Sequence, residues 1–400
     1  MRDAYIVTAV RTPGCRRAKG AFKDTRPEDL LSFILNAAVE RTPGLEKGQV
    51  DDVMIGCSFP EAEQGLNIGR VASQIAGFPH HVSGATVNRF CSSGLEAIAQ
   101  SAMRVMCGWS EITIGGGLES MTYVPMGGNM ARPHPEYTRE RPDLYISMGM
   151  TAENVAKRYN ITRQDQDQFG YESQMKASKA KAEKLYTELV PTSATRFVLQ
   201  KDGTYKKETF IQDFDDGIRE STTLEGLAKL RPAFSPTGSV TAGNSSQTTD
   251  GAAASVIMSE QAVKELGLKP IAKLKYYTTV GCRADEMGVG PRYAIPKLLK
   301  LAGMTIDDIG LWRSTRLSPP RRSTASANSV WSSTWTGSTF TAGPSPWATP
   351  WGVPAPSCAP RCWPTCAPRG SSTASSPCAS AAAWGRRPFS NCAIKTLRSP

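Results

Sequence analysis

After Trp312 the chain contains neither aspartate nor glutamate, although 88 of its 400 residues are still to come. Ten lysines and arginines stand there instead, among crowded Pro, Ser, Trp and Cys. Without that tail, the net charge of +11 shrinks to 37 basic against 36 acidic residues, so the high pI belongs to the tail alone. The first 312 residues show no basic stripe with interleaved aromatics, which argues against nucleic-acid binding. No run approaches the roughly 20 apolar residues that span a bilayer. The opening, Met1 to Val10, enters a strand-like run without a basic segment and a long apolar stretch, so export is not expected. Histidine is scarce, with only His80, His81 and His134. Cys15, Cys57, Cys91, Cys107 and Cys282 lack metal-ligand or disulfide-scaffold spacing, which excludes a metal site on those grounds and fits a reducing, cytoplasmic compartment.

What remains is ample for a large core and two or three domains. Ala4 to Val10 reads as a buried strand. Pro27 opens a helix with Leu30, Ile34 and Ala38 at helical spacing, and Val53 to Gly56 reads as the next strand. This alternation is α/β grammar. A helix over Pro296 to Gly303 followed by Ile306-Asp307-Asp308-Ile309 repeats an earlier Val50-Asp51-Asp52-Val53, which suggests a duplicated domain. Between the copies, residues 119–246 read as an inserted loop domain, with a polar helix from about Arg163 to Lys184 forming a solvated face or the cover of a site.

Chemistry concentrates at Val87-Asn88-Arg89-Phe90-Cys91-Ser92-Ser93-Gly94. An extended approach ends in a turn, and a helix starting at Cys91 carries the stripe Leu95, Ile98, Ala102 and Val105 before Gly108. At a helix N-terminus the dipole and unpaired N–H groups would stabilise a thiolate and lower its pKa. Ser92, Ser93 and Gly94 keep the first turn small enough for a bulky thioester. An inert buried cysteine is the alternative, and the surrounding motif favours the nucleophile.

That motif resembles the nucleophile segment of thiolases, and the likeness runs from Asp3 to about Trp312. It includes Glu63 to Ile68, Gly115 to Met121, Leu230-Arg231-Pro232-Ala233-Phe234, Val240 to Ser246, Asp250 to Ala253 and Gly288 to Pro291. The chain is most similar to the degradative branch, the 3-ketoacyl-CoA thiolases. The resemblance implies a five-layer αβαβα fold from two duplicated halves, the first over 1–262 and the second beginning over 270–312. It implies no bound cofactor, with CoA as co-substrate beside acyl-CoA, and a homodimer or homotetramer. It implies Cys91 as catalytic nucleophile, Arg219 near the CoA nucleotide, Ala233, Phe234 and Ser246 along the pantetheine channel, and Met148 at the acyl end. Read without the resemblance, Phe234 could be plain core and Ser246 a cap. The expected reaction is thiolysis of 3-ketoacyl-CoA in fatty acid β-oxidation. Alternatives are an acetoacetyl-CoA-forming acetyltransferase and a non-catalytic CoA-binding remnant. A ketoacyl-synthase-type condensing enzyme fits the Arg-Pro-Ala-Phe and Thr-Ala-Gly-Asn segments poorly.

The family places an Asn of Asn-Glu-Ala-Phe, a His of Gly-His-Pro and a Cys of Cys-x-Gly in its second half, and residues 313–400 contain none of them. Read one base out of register, Trp312 to Pro319 permits Glu, then Val or Ile, then Asn-Glu-Ala-Phe-Ala. Gly337 to Pro350 then permits a run ending Gly-His-Pro, and Cys378 to Gly385 permits Cys-Val-Gly-Gly-Gly-Met-Gly. The expectation is a frameshift near Leu311 to Arg313, leaving the second half incomplete and its tail disordered, with little regular packing. Cys358, Cys362 and Cys366, four residues apart, have no His or acidic neighbours and read poorly as a metal site.

Overall fold

The computed structural model describes residues 1–306, 308–309, 313–314, 370–375 and 378–385. The first run is β1 (Ala4–Arg11), β2 (Cys15–Arg16), α1 (Pro27–Glu40), β3 (Asp52–Gly56), α2 (Ile68–Ile75), β4 (Ser83–Val87), α3 (Ser93–Cys107) and β5 (Ile112–Ser120). An insertion follows with α4 (Pro135–Glu140), α5 (Met148–Arg158), α6 (Arg163–Ala182), β6 (Thr192–Leu199), β7 (Tyr205–Gln212) and α7 (Leu224–Ala228). The chain then returns through β8 (Thr249–Ser259), α8 (Glu260–Glu265), β9 (Ala272–Gly281) and α9 (Gly290–Ala302). Beyond these lie β10 (Arg313–Ser314), β11 (Gly370–Ser375) and β12 (Cys378–Gly385).

The main sheet runs β10-β11-β12-β9-β1-β8-β5-β3-β4, with β2 also on β8, while β6 and β7 form a separate hairpin. β3 is parallel to β4 and β5, and β8 is antiparallel to β1 and β5. β8 is buried along all 11 residues because helices cover both faces. Parity along β3 separates those faces. A Cβ on Gly56 would lie 2.2 Å from the Ser93 carbonyl carbon of α3, whereas Gly69 of α2 sits over Ile55 on the other side.

α1 forms where sequence periodicity placed it. Pro27 occupies its first turn, and Leu30, Ile34 and Ala38 are buried. In α3 the stripe Leu95, Ile98, Ala102 and Val105 is buried, and the helix stops at Gly108, whose φ of 77° is left-handed. α9 is longer than expected, beginning at Gly290 instead of Pro296, with Pro291 in its first turn and Gly303 as its left-handed cap.

β9 joins β1 through only two residue pairs, a narrow junction on which the β9–β12 portion of the sheet hangs. A register shift near Lys275 reverses its parity. Tyr277 consequently faces α3, where its hydroxyl donates to Glu96, while Tyr276 and Val280 pack on Ala294 and Leu298 of α9. The order is therefore α1 and α2, the β1-β8-β5-β3-β4 portion of the sheet, α3, the β9–β12 portion, α9: the five-layer α/β arrangement, with few elements in the last two layers among the described residues.

The tail departs from its expected lack of packing at three short segments, the first of which, β10, pairs parallel with β11. β12 pairs antiparallel with β9 and with β11. Backbone hydrogen bonding does not depend on side-chain identity, and these Ala-, Ser- and Gly-rich stretches carry no proline, so they can cover the edge β9 leaves open. The Asn and His motifs of the shifted frame, and Cys358, Cys362 and Cys366, lie outside the described residues.

Candidate active site

β4 delivers the chain to a turn at 88–92, and α3 leaves it. Cys91 is not the first helical residue: Ser92 is the N-cap and the helix begins at Ser93. The reversal is concentrated at Phe90, whose φ of 45° is unusual for a non-glycine residue. Several groups hold it there. The Asn88 carboxamide accepts the Phe90 N–H at 2.8 Å and donates to the Ser58 carbonyl at 2.9 Å. The Arg89 N–H donates to Ser93 Oγ at 2.8 Å, and its guanidinium pairs with Glu96 at 2.6 Å. The Phe59 ring meets Phe90 edge-on at 5.9 Å.

The expected lowering of the Cys91 pKa is not what this geometry produces. Desolvation, followed by the charge of Glu119, pushes the thiol up to about 11, and a backbone N–H only partly offsets them. Cys91 is half-buried and lies just before the helix, not within its first turn. Neutral thiol is thus the resting form, and a nucleophile must be made by proton removal. The three histidines are engaged elsewhere: His80 Nδ1 with Gln74 at 2.7 Å, His81 Nε2 with the Gly48 carbonyl at 3.0 Å, and the His134 ring with Tyr137.

Two residues given no role in the sequence reading belong to this centre. Glu119, at the end of β5, is fully buried, and desolvation raises its pKa to about 7 against the pull of its N–H donors. Cys57 is buried beside it, its thiol 3.9 Å from Glu119 Oε1, and burial pushes that thiol well up. Glu119 lay inside the Gly115 to Met121 segment, but no local signal marks a strand-end carboxyl as buried.

The residues expected along the acyl-CoA path lie on the insertion. Met148 begins α5 and is half-buried. The Phe234 ring lies over the next residue: a Cβ on Gly149 would come within 2.0 Å of it. Phe234 is 45% exposed, which sets aside the plain-core reading. Ala233 is exposed, and its N–H donates to the Val240 carbonyl at 2.9 Å. Glu153 of α5 accepts the N–H groups of Ser239 and Val240 at 2.9 Å each, tying this loop to the Met148 helix. Ser246 is exposed and donates to the Gln247 carbonyl at 3.3 Å; β8 follows it, so it caps no helix. Arg219 is exposed, with its backbone N–H on Gln174 of α6 at 2.9 Å. The structure sets Phe234 against Gly149, next to Met148 in the chain, and leaves Arg219, Ala233 and Ser246 exposed. Among the described residues no His, Cys, Asp and Glu group is arranged to hold a metal, and no helix is long and apolar enough to cross a membrane.

The α/β scaffold thus holds one cysteine on a strained turn between β4 and α3. Comparison with known proteins narrows the class. Residues 4–261 match the thiolase N-terminal domain model, and residues 268–315 match the thiolase C-terminal domain model. The chain is 45% identical over 313 residues to a Bacillus subtilis protein named 3-ketoacyl-CoA thiolase, covering 78% of this chain and 80% of that one. It is 41% identical over 312 residues to 3-ketoacyl-CoA thiolase 2, peroxisomal, of Arabidopsis thaliana, covering 78% and 67%. Among solved structures, the Bacillus anthracis acetyl-CoA acetyltransferase superimposes with a TM-score of 0.78 at 29% identity, over 96% of this chain and 99% of the other. Human mitochondrial 3-ketoacyl-CoA thiolase does so with the same score and coverage at 26% identity. The chain belongs to the thiolase family.

Proposed function

We propose that this chain is the acyl-carrying half of an acyltransferase that cleaves 3-ketoacyl-CoA with CoA, yielding acetyl-CoA and a shortened acyl-CoA, as in fatty acid β-oxidation. The observation that carries the reading is Cys91 on its strained turn between β4 and α3, within a chain 45% identical to a protein named 3-ketoacyl-CoA thiolase. The thiolate of Cys91 attacks the 3-keto carbon. Collapse of the tetrahedral adduct breaks the C2–C3 bond, leaving the acyl group on sulfur and an acetyl-CoA enolate that takes a proton. A second CoA thiol, deprotonated in turn, attacks the thioester and frees Cys91. Met148 would meet the acyl chain, Phe234, Ala233 and Ser246 the pantetheine arm, and Arg219 the nucleotide.

A thiol pushed up to about 11 needs a base. In the reading proposed here, that base is the His of the Gly-His-Pro motif permitted by the shifted frame, with the Asn and second Cys motifs completing the site. The family match supports a break in frame: it ends at residue 315, where the acid-free tail begins. The intact enzyme would work in the cytoplasm as a homodimer or homotetramer. If residues 313–400 are made as written, the chain is instead a CoA-binding remnant. An acetoacetyl-CoA-forming acetyltransferase is the nearest active alternative, supported by the structural likeness to an acetyl-CoA acetyltransferase.

Resequencing through the codons for Leu311 to Pro319, then expressing the written and frame-restored chains, tests the proposal. Thiolysis by the restored chain, with an acyl adduct on Cys91 seen by mass spectrometry and lost in Cys91→Ser, is the expected result. A restored chain that folds, binds CoA and forms no adduct would sink it.

A further inference from the structure

Glu119 receives hydrogen bonds only from neutral groups among those described. The Ser58 N–H donates to Oε2 at 2.7 Å and the Gln64 amide to Oε1 at 2.5 Å. Gln64 is fixed in turn, accepting the Ser120 N–H at 2.9 Å and donating to the Phe59 carbonyl at 2.9 Å. Glu119, Gln64 and Ser58 are all buried. A carboxyl without a paired cation in such a place is costly, and a neutral core would be more stable. Segment 57–59 lies between this carboxyl and the nucleophile turn, to which it connects three times. The Cys57 N–H donates to the Val87 carbonyl at 3.0 Å, the Ser58 carbonyl accepts from Asn88, and Phe59 packs on Phe90.

We propose that Glu119 is a positioning residue for the nucleophile: through Ser58 and Asn88 it holds Phe90 in its left-handed conformation and so fixes the direction in which the Cys91 thiol points. Both carboxylate oxygens are needed as acceptors. A glutamine would turn an N–H2 group toward either the Ser58 N–H or the Gln64 amide, and the relay would lose its anchor. The inference relies on the proposed thiolase activity only for naming Cys91 the nucleophile.

The test uses the full chain and needs no thiolysis. Iodoacetamide labelling of Cys91 is followed across pH by peptide mass spectrometry, with Cys282 as internal control. Glu119→Gln should lower the pH midpoint of labelling, because a negative charge beside the thiol is gone. It should also lower the high-pH plateau by about tenfold or more, toward the roughly 10²-fold that an ångström-scale misplacement can cost. Asn88→Ala, which removes an exposed side chain, should lower the plateau by a similar factor with a smaller change in midpoint. The double variant should match Glu119→Gln alone. An unchanged plateau in folded Glu119→Gln, or effects that multiply in the double variant, overturns the proposal. Should Glu119→Gln fail to fold, the plateau of Asn88→Ala decides: a fall supports the relay, and no change refutes it. Failure of thiolysis in the frame-restored enzyme would leave these labelling results standing, so the two readings fail separately.

Discussion

The two faces of β9 show how differently one chain can be held. Around α3, buried Leu95, Ile98, Ala102 and Val105 belong to one continuous core that spans β1, β3, β5 and β8. Around α9, the buried cluster is Ala294 and Leu298 against Tyr276 and Val280. Cys91, the proposed nucleophile, therefore stands on the well-packed side, while among the described residues the α9 side shows only a small buried cluster.

The sharpest way to break that contrast is to supply the missing partners. The frame-restored chain should turn over 3-ketoacyl-CoA at least about 10³-fold faster than the written one, the scale on which general acid–base groups act. Steady-state thiolysis of both proteins checks it, and equal rates would mean that the written tail suffices. Next in size is packing. Ile98→Ala should cost about 2 to 5 kcal/mol in urea unfolding, and Leu298→Ala less, because its smaller cluster can collapse around the loss. Reversed magnitudes would remove the distinction between the two sides.

Gly56→Ala probes the seat of α3. Its new Cβ would meet Ser93 backbone at 2.2 Å, so the helix start must shift at a cost of about 1 to 3 kcal/mol. A matching fall in Cys91 labelling would tie helix position to nucleophile position; destabilisation with unchanged labelling would separate them.

Acid–base behaviour gives a fourth test. Glu119 is raised from 4.5 to about 7 and Asp250 from 3.8 to about 6, in both cases chiefly by burial. In the folded state each holds its proton at pH values where the unfolded chain has released it. Their contribution to stability is thus full below the unfolded pKa and is lost as pH rises, through about 6 for Asp250 and about 7 for Glu119. Glu119→Gln should remove about 3 kcal/mol of that decline between pH 4.5 and 7, read from urea midpoints across pH. A slope identical to the parent would show that Glu119 does not titrate in this window. The smallest effect belongs to the exposed Lys264–Glu260 pair on α8, where Lys264→Ala should change stability by less than about 0.5 kcal/mol.

Much of the scaffold was legible because its signals are local. Pro27 with Leu30, Ile34 and Ala38 placed α1, and the α3 stripe ending at Gly108 placed the helix behind the nucleophile. Its first residue was misplaced by two, since a helix-like pattern does not tell a cap from a strained turn such as that at Phe90. The tail strands escaped notice because they pair through backbone atoms against an edge no local pattern reveals.

The sequence by itself determined the family and several local elements, among them α1 and α3, which follow from neighbours in the chain and a periodicity of 3.6, and it singled out Cys91 as the candidate for chemistry. Tertiary structure decided the state of that residue. Whether Cys91 is thiol or thiolate depends on water removed by the fold and on Glu119, a residue from another strand. The same holds for buried Arg11, whose partners Glu188 and Asp215 lie 177 and 204 positions away. Burial and charge act across space, so their effects on titration and position arise only once distant segments have packed together.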